Sequence, residues 1–188
     1  MIPLLTERLR LRALTPDDLD FVRRLHANPD LVRFIPSAIT PDEATARQHL
    51  EYFMSLADHP VQGFSLIELR GADDDGRAVA GTAVGLIMIK PITPSGGGEA
   101  TVLEIGWRQV AEHCGHGYVT EAARAVLDAV HRAGVEHLVA VADPENLASQ
   151  RVAVRIGMER VGPTTEFYDA ETVLFRSTRS RGPRATWL

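Results

Sequence analysis

Cysteine is nearly missing from this chain: 188 residues carry one, Cys114. That excludes an internal disulfide framework and any zinc site built from several thiolates. Cationic excess is missing too, since 20 Lys and Arg stand against 25 Asp and Glu for a formal charge of −5. A dedicated nucleic-acid binder draws most of its affinity from neutralising phosphates, so direct nucleic-acid binding is not expected. No apolar run approaches the roughly 18 residues that a bilayer-spanning helix needs. The opening residues, Met1 to Arg8, do not follow the basic-then-apolar order of a secretory leader. The expectation is therefore a protein without a membrane partner in a reducing cytoplasm. What is present is apolar sequence, 45% of the chain, in periodic segments that argue against disorder. The length suits one sizeable domain, residues 1–188.

Leu9-Arg10-Leu11-Arg12-Ala13-Leu14 alternates in the manner of a half-buried strand. Thr15-Pro16-Asp17-Asp18 then reads as a helix start, with a capping hydroxyl, a proline suited to the first position and acids at the positive end of the dipole. Leu19, Val22 and Leu25 form its apolar stripe. Thr40-Pro41-Asp42-Glu43 repeats this chemistry before a second helix, with Ala44, Leu50, Phe53 and Met54 as core positions. Phe64 to Leu69 and Val79 to Ile89 read as a hairpin. Between them, Asp73, Asp74 and Asp75 lack the spaced ligands of a calcium loop and read as a plain turn. Pro91 to Gly98 reads as a mobile loop inside the domain.

The second half reads as a strand (Val102 to Gln109), a Gly115-His116-Gly117 turn, a helix (Tyr118 to Ala133), a strand (His137 to Ala142) and a helix (Leu147 to Arg155). Two closing strands follow, near Met158 to Val161 and Val173 to Thr178. In the longer helix Val119, Ala123, Val126, Leu127 and Val130 face the core, and Glu121, Arg124, Asp128 and Arg132 face away. Arg176, Arg179, Arg181 and Arg184 read as a solvated strand and tail.

Chemistry concentrates where a strand runs through two glycines into a helix. Such a turn lets main-chain N–H groups converge on an anion at the positive helix end, and a diphosphate is the natural candidate. A P-loop is excluded because no Gly-x-x-x-x-Gly-Lys-Ser/Thr run exists. A dinucleotide turn of the Gly-x-Gly-x-x-Gly type is disfavoured because Thr120 occupies the third position. A coenzyme A site remains. Cys114, at a helix start, is either an activated thiol or a plain loop residue. With His113 and His116 it makes a poor tetrahedral metal set, so no metal is expected.

Leu103-Glu104-Ile105-Gly106-Trp107 followed by Cys114-Gly115-His116-Gly117-Tyr118-Val119-Thr120-Glu121-Ala122 resembles the coenzyme-binding motif of the GNAT superfamily of acetyltransferases. Thr6-Glu7-Arg8-Leu9-Arg10-Leu11-Arg12, and Asn146, Ser149, Val152, Gly157 and Met158, are similar to the opening and closing motifs of its Rim-like branch of ribosomal-protein N-terminal acetyltransferases. The resemblance implies an α/β (α+β) fold with a mixed, mostly antiparallel, splayed central sheet flanked by helices, and an acetyl-CoA-dependent transfer to an amine-bearing acceptor. It also implies site residues. The main chain of Trp107, Arg108 and Gln109 would pair with pantetheine, the loop of Cys114, Gly115, His116, Gly117, Tyr118, Val119 and Thr120 would hold the pyrophosphate, and Asn146 and Ser149 would meet the pantetheine arm and thiol end. Cys114 replaces a usual Gln/Arg, and Val119 a usual Gly/Ala.

Amine acetylation needs a base for the amine proton and a proton for the departing thiolate. Glu104 is the candidate base, with a structural bond to a neighbouring strand as the other reading. Many superfamily members place a Tyr at the position of Ala153, so Ser149 becomes the candidate acid, with a helix-capping role as its alternative. The acceptor is a protein N-terminus or a small-molecule amine, shaped by Phe34, Tyr52 and residues 95–98. A non-catalytic acyl-CoA sensor is the competing reading, and pairing of the closing strands leaves a homodimer open.

Overall fold

The computed structural model describes residues 3–179 apart from 41, 73–75 and 77. The three-aspartate turn, Arg181 and Arg184 lie outside the described residues. The chain runs β1 (Leu4–Leu5), β2 (Leu9–Arg12), α1 (Leu19–His26), α2 (Pro29–Phe34), α3 (Glu43–Ser55), β3 (Gly63–Leu69), β4 (Ala83–Pro91), β5 (Leu103–Gln109), α4 (Tyr118–Arg132), β6 (His137–Ala142), α5 (Leu147–Arg155), β7 (Glu159–Thr164) and β8 (Thr172–Thr178). The strands form one sheet in the order β1-β2-β3-β4-β5-β6-β8-β7. Every neighbouring pair is antiparallel except β5 with β6, which meet in parallel.

Helices cover both faces, which is why β3 is buried along its whole length rather than alternating. On one face α1 and α3 pack Val22, Leu25, Leu50 and Phe53 against Phe64, Leu66 and Leu86. On the other, α4 lays Val119, Ala122, Ala123, Val126, Leu127 and Val130 on Leu9, Leu11, Ile67, Ile87 and Ile105, joined by Ala153 and Ile156 from the α5 end of the chain. A fully buried aliphatic side chain of this kind contributes roughly 1.5–3 kcal/mol, so the sheet is stabilised from both sides. Among the described residues, no helix is long and apolar enough to cross a membrane.

Helix starts follow the capping chemistry. Asp42 Oδ1 accepts from Thr45 N at 2.7 Å to open α3. At Thr15 the expected start is a short 3-10 turn, Pro16–Asp18, before α1 proper. Asp18 is tied there, accepting from Thr15 N at 2.7 Å and pairing with Arg12 at 2.7 Å.

Several expectations are corrected. Val79 is exposed and sits in a turn closed by Thr82 N donating to Val79 O, so β4 begins at Ala83. Ala44 points to solvent; Ala46 takes its place because 46, 50 and 53 keep the helical spacing. Glu121 is drawn inward by partners on the N-terminal segment. The loop of residues 91–98 is anchored: Ser95 N donates to Glu166 O at 2.8 Å, and Pro94 bridges Phe167. β1 and α2 carried no readable signal, being two and six residues long.

Candidate active site

Along the β5–β6 boundary the sheet opens. Among the described residues the one register pair is Glu104 with Val139, whereas β4 follows β5 from Leu103 to Gln109. Residues of a strand alternate in the direction of their main-chain groups. Val110 N donates to Val84 O, and Arg108 O lies 2.7 Å from where a Cβ on Gly85 would be, so even-numbered residues turn toward β4. Ile105, Trp107 and Gln109 therefore turn their N–H and C=O toward the gap. This corrects one expectation: Arg108 turns its carbonyl to β4, not to the gap, and its side chain to His26 and Phe53 on the α1–α3 face.

The gap leads to the glycine turn. Gly115 has φ of 90°, and a Cβ there would meet nothing within 4 Å. Gly117 has φ of 78° as the residue capping α4, a conformation that only glycine adopts freely. The first main-chain bond of α4 is Glu121 N to Gly117 O, so the N–H groups of Val119 and Thr120 precede the helical ladder. Val119 is 3% exposed with its side chain in the core, so its bulk stays off the open side of the turn.

Thr6 and Arg8 support this turn from below. Thr6 Oγ1 donates to Glu121 Oε1 at 2.6 Å, and Arg8 Nε donates to Glu121 Oε2 at 2.7 Å. Arg8 Nη1 also donates to His116 O at 3.1 Å, with its guanidinium 4.8 Å over the Tyr118 ring. His116 stacks on the same ring at 5.3 Å. Burial opposes ionisation of Glu121, but its bonds to Thr6 and Arg8 prevail and hold its pKa below the usual carboxylate range. The opening motif is thus the mount of the helix N-terminus. Gln109 Nε2 closes the approach by donating to His113 O at 2.6 Å.

Cys114 is exposed and its Sγ donates to Val110 O at 3.7 Å. Partial desolvation and the nearby Glu112 carboxylate push its thiol pKa up, against the activated-thiol reading. Among the described residues, no group of three or more His, Cys, Asp or Glu is placed to hold a metal ion. Asn146 caps α5, its Oδ1 accepting from Ser149 N at 3.0 Å. The Ser149 hydroxyl itself has no hydrogen bond to another described residue.

On the α1–α3 side of β5 stand Glu104 and Arg108. Glu104 is 3% exposed; its Oε1 receives Lys90 Nζ from β4 at 2.7 Å and a short bond from the Tyr168 hydroxyl. Lys90 Nζ also donates to Tyr168 OH at 2.7 Å. Both partners use one oxygen, leaving Oε2 without a protein donor among the described residues. Burial first, and then the Glu104 charge, raise the Tyr168 phenol well above its ordinary pKa, so it stays protonated.

Tyr168 and Asp169 hold φ of 62° and 51°, a strain of about 1–3 kcal/mol each for non-glycine residues. Tyr168 N donating to Thr93 O at 3.1 Å and Asp169 N donating to Ser95 Oγ at 2.9 Å help hold that turn. Lys90, Tyr168 and the His26 partner of Arg108 were missed by sequence reasoning; Tyr168 lies 64 residues from Glu104, and no local spacing links them.

Residues 8–159 match the family model described as an acetyltransferase (GNAT) domain. The chain belongs to the GNAT acetyltransferase family. It is 48% identical over 59 residues to YkkB of Bacillus subtilis, a stretch that is 31% of this chain and 34% of that one; the match thus spans about a third of that relative. Among solved structures, an acetyltransferase from Agrobacterium tumefaciens is similar at 26% identity, covering 94% of both chains with a TM-score of 0.72. RimL, a ribosomal-protein α-N-acetyltransferase in complex with coenzyme A, shares the fold at 17% identity, with a TM-score of 0.71 over 93% of this chain and 96% of that one.

Proposed function

We propose that this protein is an acetyl-CoA-dependent N-acetyltransferase of the Rim-like kind, moving an acetyl group directly to a primary amine on a small molecule or a protein N-terminus. The observation that carries the reading is the parted β5–β6 edge, which runs from Glu104 to a glycine turn at a helix N-terminus. Main-chain groups of Trp107 and Gln109 fit an amide-bearing arm added like a strand. The N–H groups at Gly115 to Thr120 fit a diphosphate at the positive end of α4. RimL, with the same fold, is described with coenzyme A bound, which supports the same carrier here.

Acetyl-CoA supplies an activated acyl group on a good leaving thiol. The chain's own part is to align that carrier with the amine, a contribution worth several kcal/mol. Glu104 takes the amine proton at Oε2, while Lys90 and Tyr168 keep its other oxygen fixed. Ser149, whose hydroxyl lacks a hydrogen-bond partner among the described residues, gives a proton to the departing thiolate directly or through water. Asn146 keeps its amide nitrogen for the pantetheine arm while its oxygen caps α5.

A sensor that binds acyl-CoA without turnover is favoured by one observation, the buried Ala153 where many relatives place a Tyr. Calorimetry with coenzyme A followed by thiol release over an amine panel separates the two. Thiol release with an acetylated amine is expected. Binding without acetylation of any amine or N-terminal peptide leaves the sensor, and absence of binding removes both.

A further inference from the structure

The side chain of Arg108 leaves β5 on the face opposite α4 and runs beneath α1 and α3. Its Nη1 lies 2.7 Å from His26 Nε2, and its guanidinium carbon 5.7 Å from the Phe53 ring centroid. Its Nε is buried with no hydrogen-bond partner among the described residues. Among the described residues, no carboxylate comes within ion-pair distance of it. The nearest acid on the same strand face, Glu104, is already engaged by Lys90 at 2.7 Å.

Among the described residues, the groups in direct contact with Arg108 are uncharged. His26 is 3% exposed, and its Nδ1 lies 3.0 Å from Thr40 Oγ1, which lies 3.1 Å from His49 Nδ1 and donates to Ala38 O at 2.9 Å. A neutral His26 that donates from Nδ1 to Thr40 and accepts from Arg108 at Nε2 satisfies this chain. Desolvation depresses His26 to about 3, aided by the charge of Arg108. Tyr52 and Tyr168, the other polar groups that Arg108 senses, are phenols. Burial pulls Arg108 itself down to about 10 in spite of the distant attraction of Glu104. A largely desolvated cation with an idle donor and no carboxylate in contact is costly unless something supplies the missing charge.

We propose that the acceptor supplies it: the amine substrate carries an anionic group, a carboxylate or a phosphate, which Arg108 binds while the amine reaches Glu104 Oε2. The inference rests on the acetyl-transfer reading and specifies its acceptor. The diphosphate of the cofactor is a poor alternative partner, because its turn opens the α4 helix on the other face of the sheet. Arg108 suits an oxyanion because its fork offers two parallel donors. His26 is a positioning residue that fixes the fork from behind.

Thiol-release kinetics with matched acceptor pairs test this: L-phenylalanine against phenethylamine, O-phosphoethanolamine against ethanolamine, and a peptide beginning Ser-Asp against one beginning Ser-Asn. The three pairs distinguish carboxylate, phosphate and peptide sources of the charge. In at least one accepted pair the anionic member should be used about ten- to a hundredfold better in kcat/KM, the value of a charged hydrogen bond. Arg108→Gln should shrink that ratio to within about threefold, and Arg108→Lys should retain part of it, with coenzyme A affinity unchanged in both. Equal use of both members in every accepted pair overturns the inference while the transferase reading stands, and this comparison needs only the unmodified protein. Loss of coenzyme A affinity in Arg108→Gln also overturns it, by assigning Arg108 to the cofactor. Failure of the unmodified protein to bind coenzyme A or acetylate any amine overturns the reading beneath it.

Discussion

Gly117→Asp puts a charge into the turn assigned to the diphosphate, and the structure separates its effect on folding from its effect on binding. Gly117 has φ of 78°, where a residue with a Cβ costs about 1–2 kcal/mol, with Asp among the more tolerant types. The new Cβ would lie 3.7 Å from Arg8 Nη2, an ordinary contact beside a cation, so the domain should fold. A carboxylate about 6 Å from one phosphate charge repels it by about 0.7–2.8 kcal/mol for effective dielectric constants of about 80 to 20. Two phosphate charges roughly double this, and Arg8 offsets part of it. Coenzyme A affinity should therefore fall by about tenfold to a hundredfold, whereas Gly117→Ala, which adds strain without charge, should lose much less. Calorimetric titration at low and high salt reads the difference, which should narrow as salt screens the repulsion. A folded Gly117→Asp protein with unchanged coenzyme A affinity at low salt would refute the placement of the diphosphate.

Two further outcomes follow from the α1–α3 side. Glu104→Gln should lower kcat about a hundredfold or more near neutral pH, the usual scale for a lost base, with coenzyme A affinity little changed; equal turnover removes Glu104 from the chemistry. Burial, with Arg108 and His49 adding repulsion, depresses His26 from its ordinary 6.5 to about 3. The unfolded chain binds this proton below 6.5 and the folded protein does not, so stability is full above 6.5 and is lost as pH falls toward 3. Between pH 6.5 and 5 the loss approaches about 2 kcal/mol. Urea unfolding across that window should show a steeper decline in the unmodified protein than in His26→Gln, and identical slopes would mean His26 is not the group responsible.

Local chemistry made much of this protein legible. β6 and α5 begin and end where their periodicity and punctuation place them, and α4 starts after Gly117 because the cap needs a positive φ. Asn146 and Ser149 come together because capping is a contact three residues long. Where signals were short or weak the reading slipped. Val79 looked like a strand residue by composition, yet a turn claimed it through Thr82, and Glu121 looked solvated because its partners, Thr6 and Arg8, lie more than a hundred residues away.

The glycine turn at the head of α4 and the order of the longer helices and strands were thus set by sequence alone, since dihedral preferences, caps and apolar periods act over a few residues. Only the tertiary structure decided where β5 parts from β6, because that depends on how two helix layers hold the strands they cover. Only the tertiary structure joined Glu104 to Lys90 across the β4–β5 register and to Tyr168 in a distant turn. It likewise set the Arg108 side chain against His26, 82 residues earlier. These contacts have no local period to announce them; they exist because packing brings a buried charge and its partner to the same depth, where an unmet polar group is most expensive.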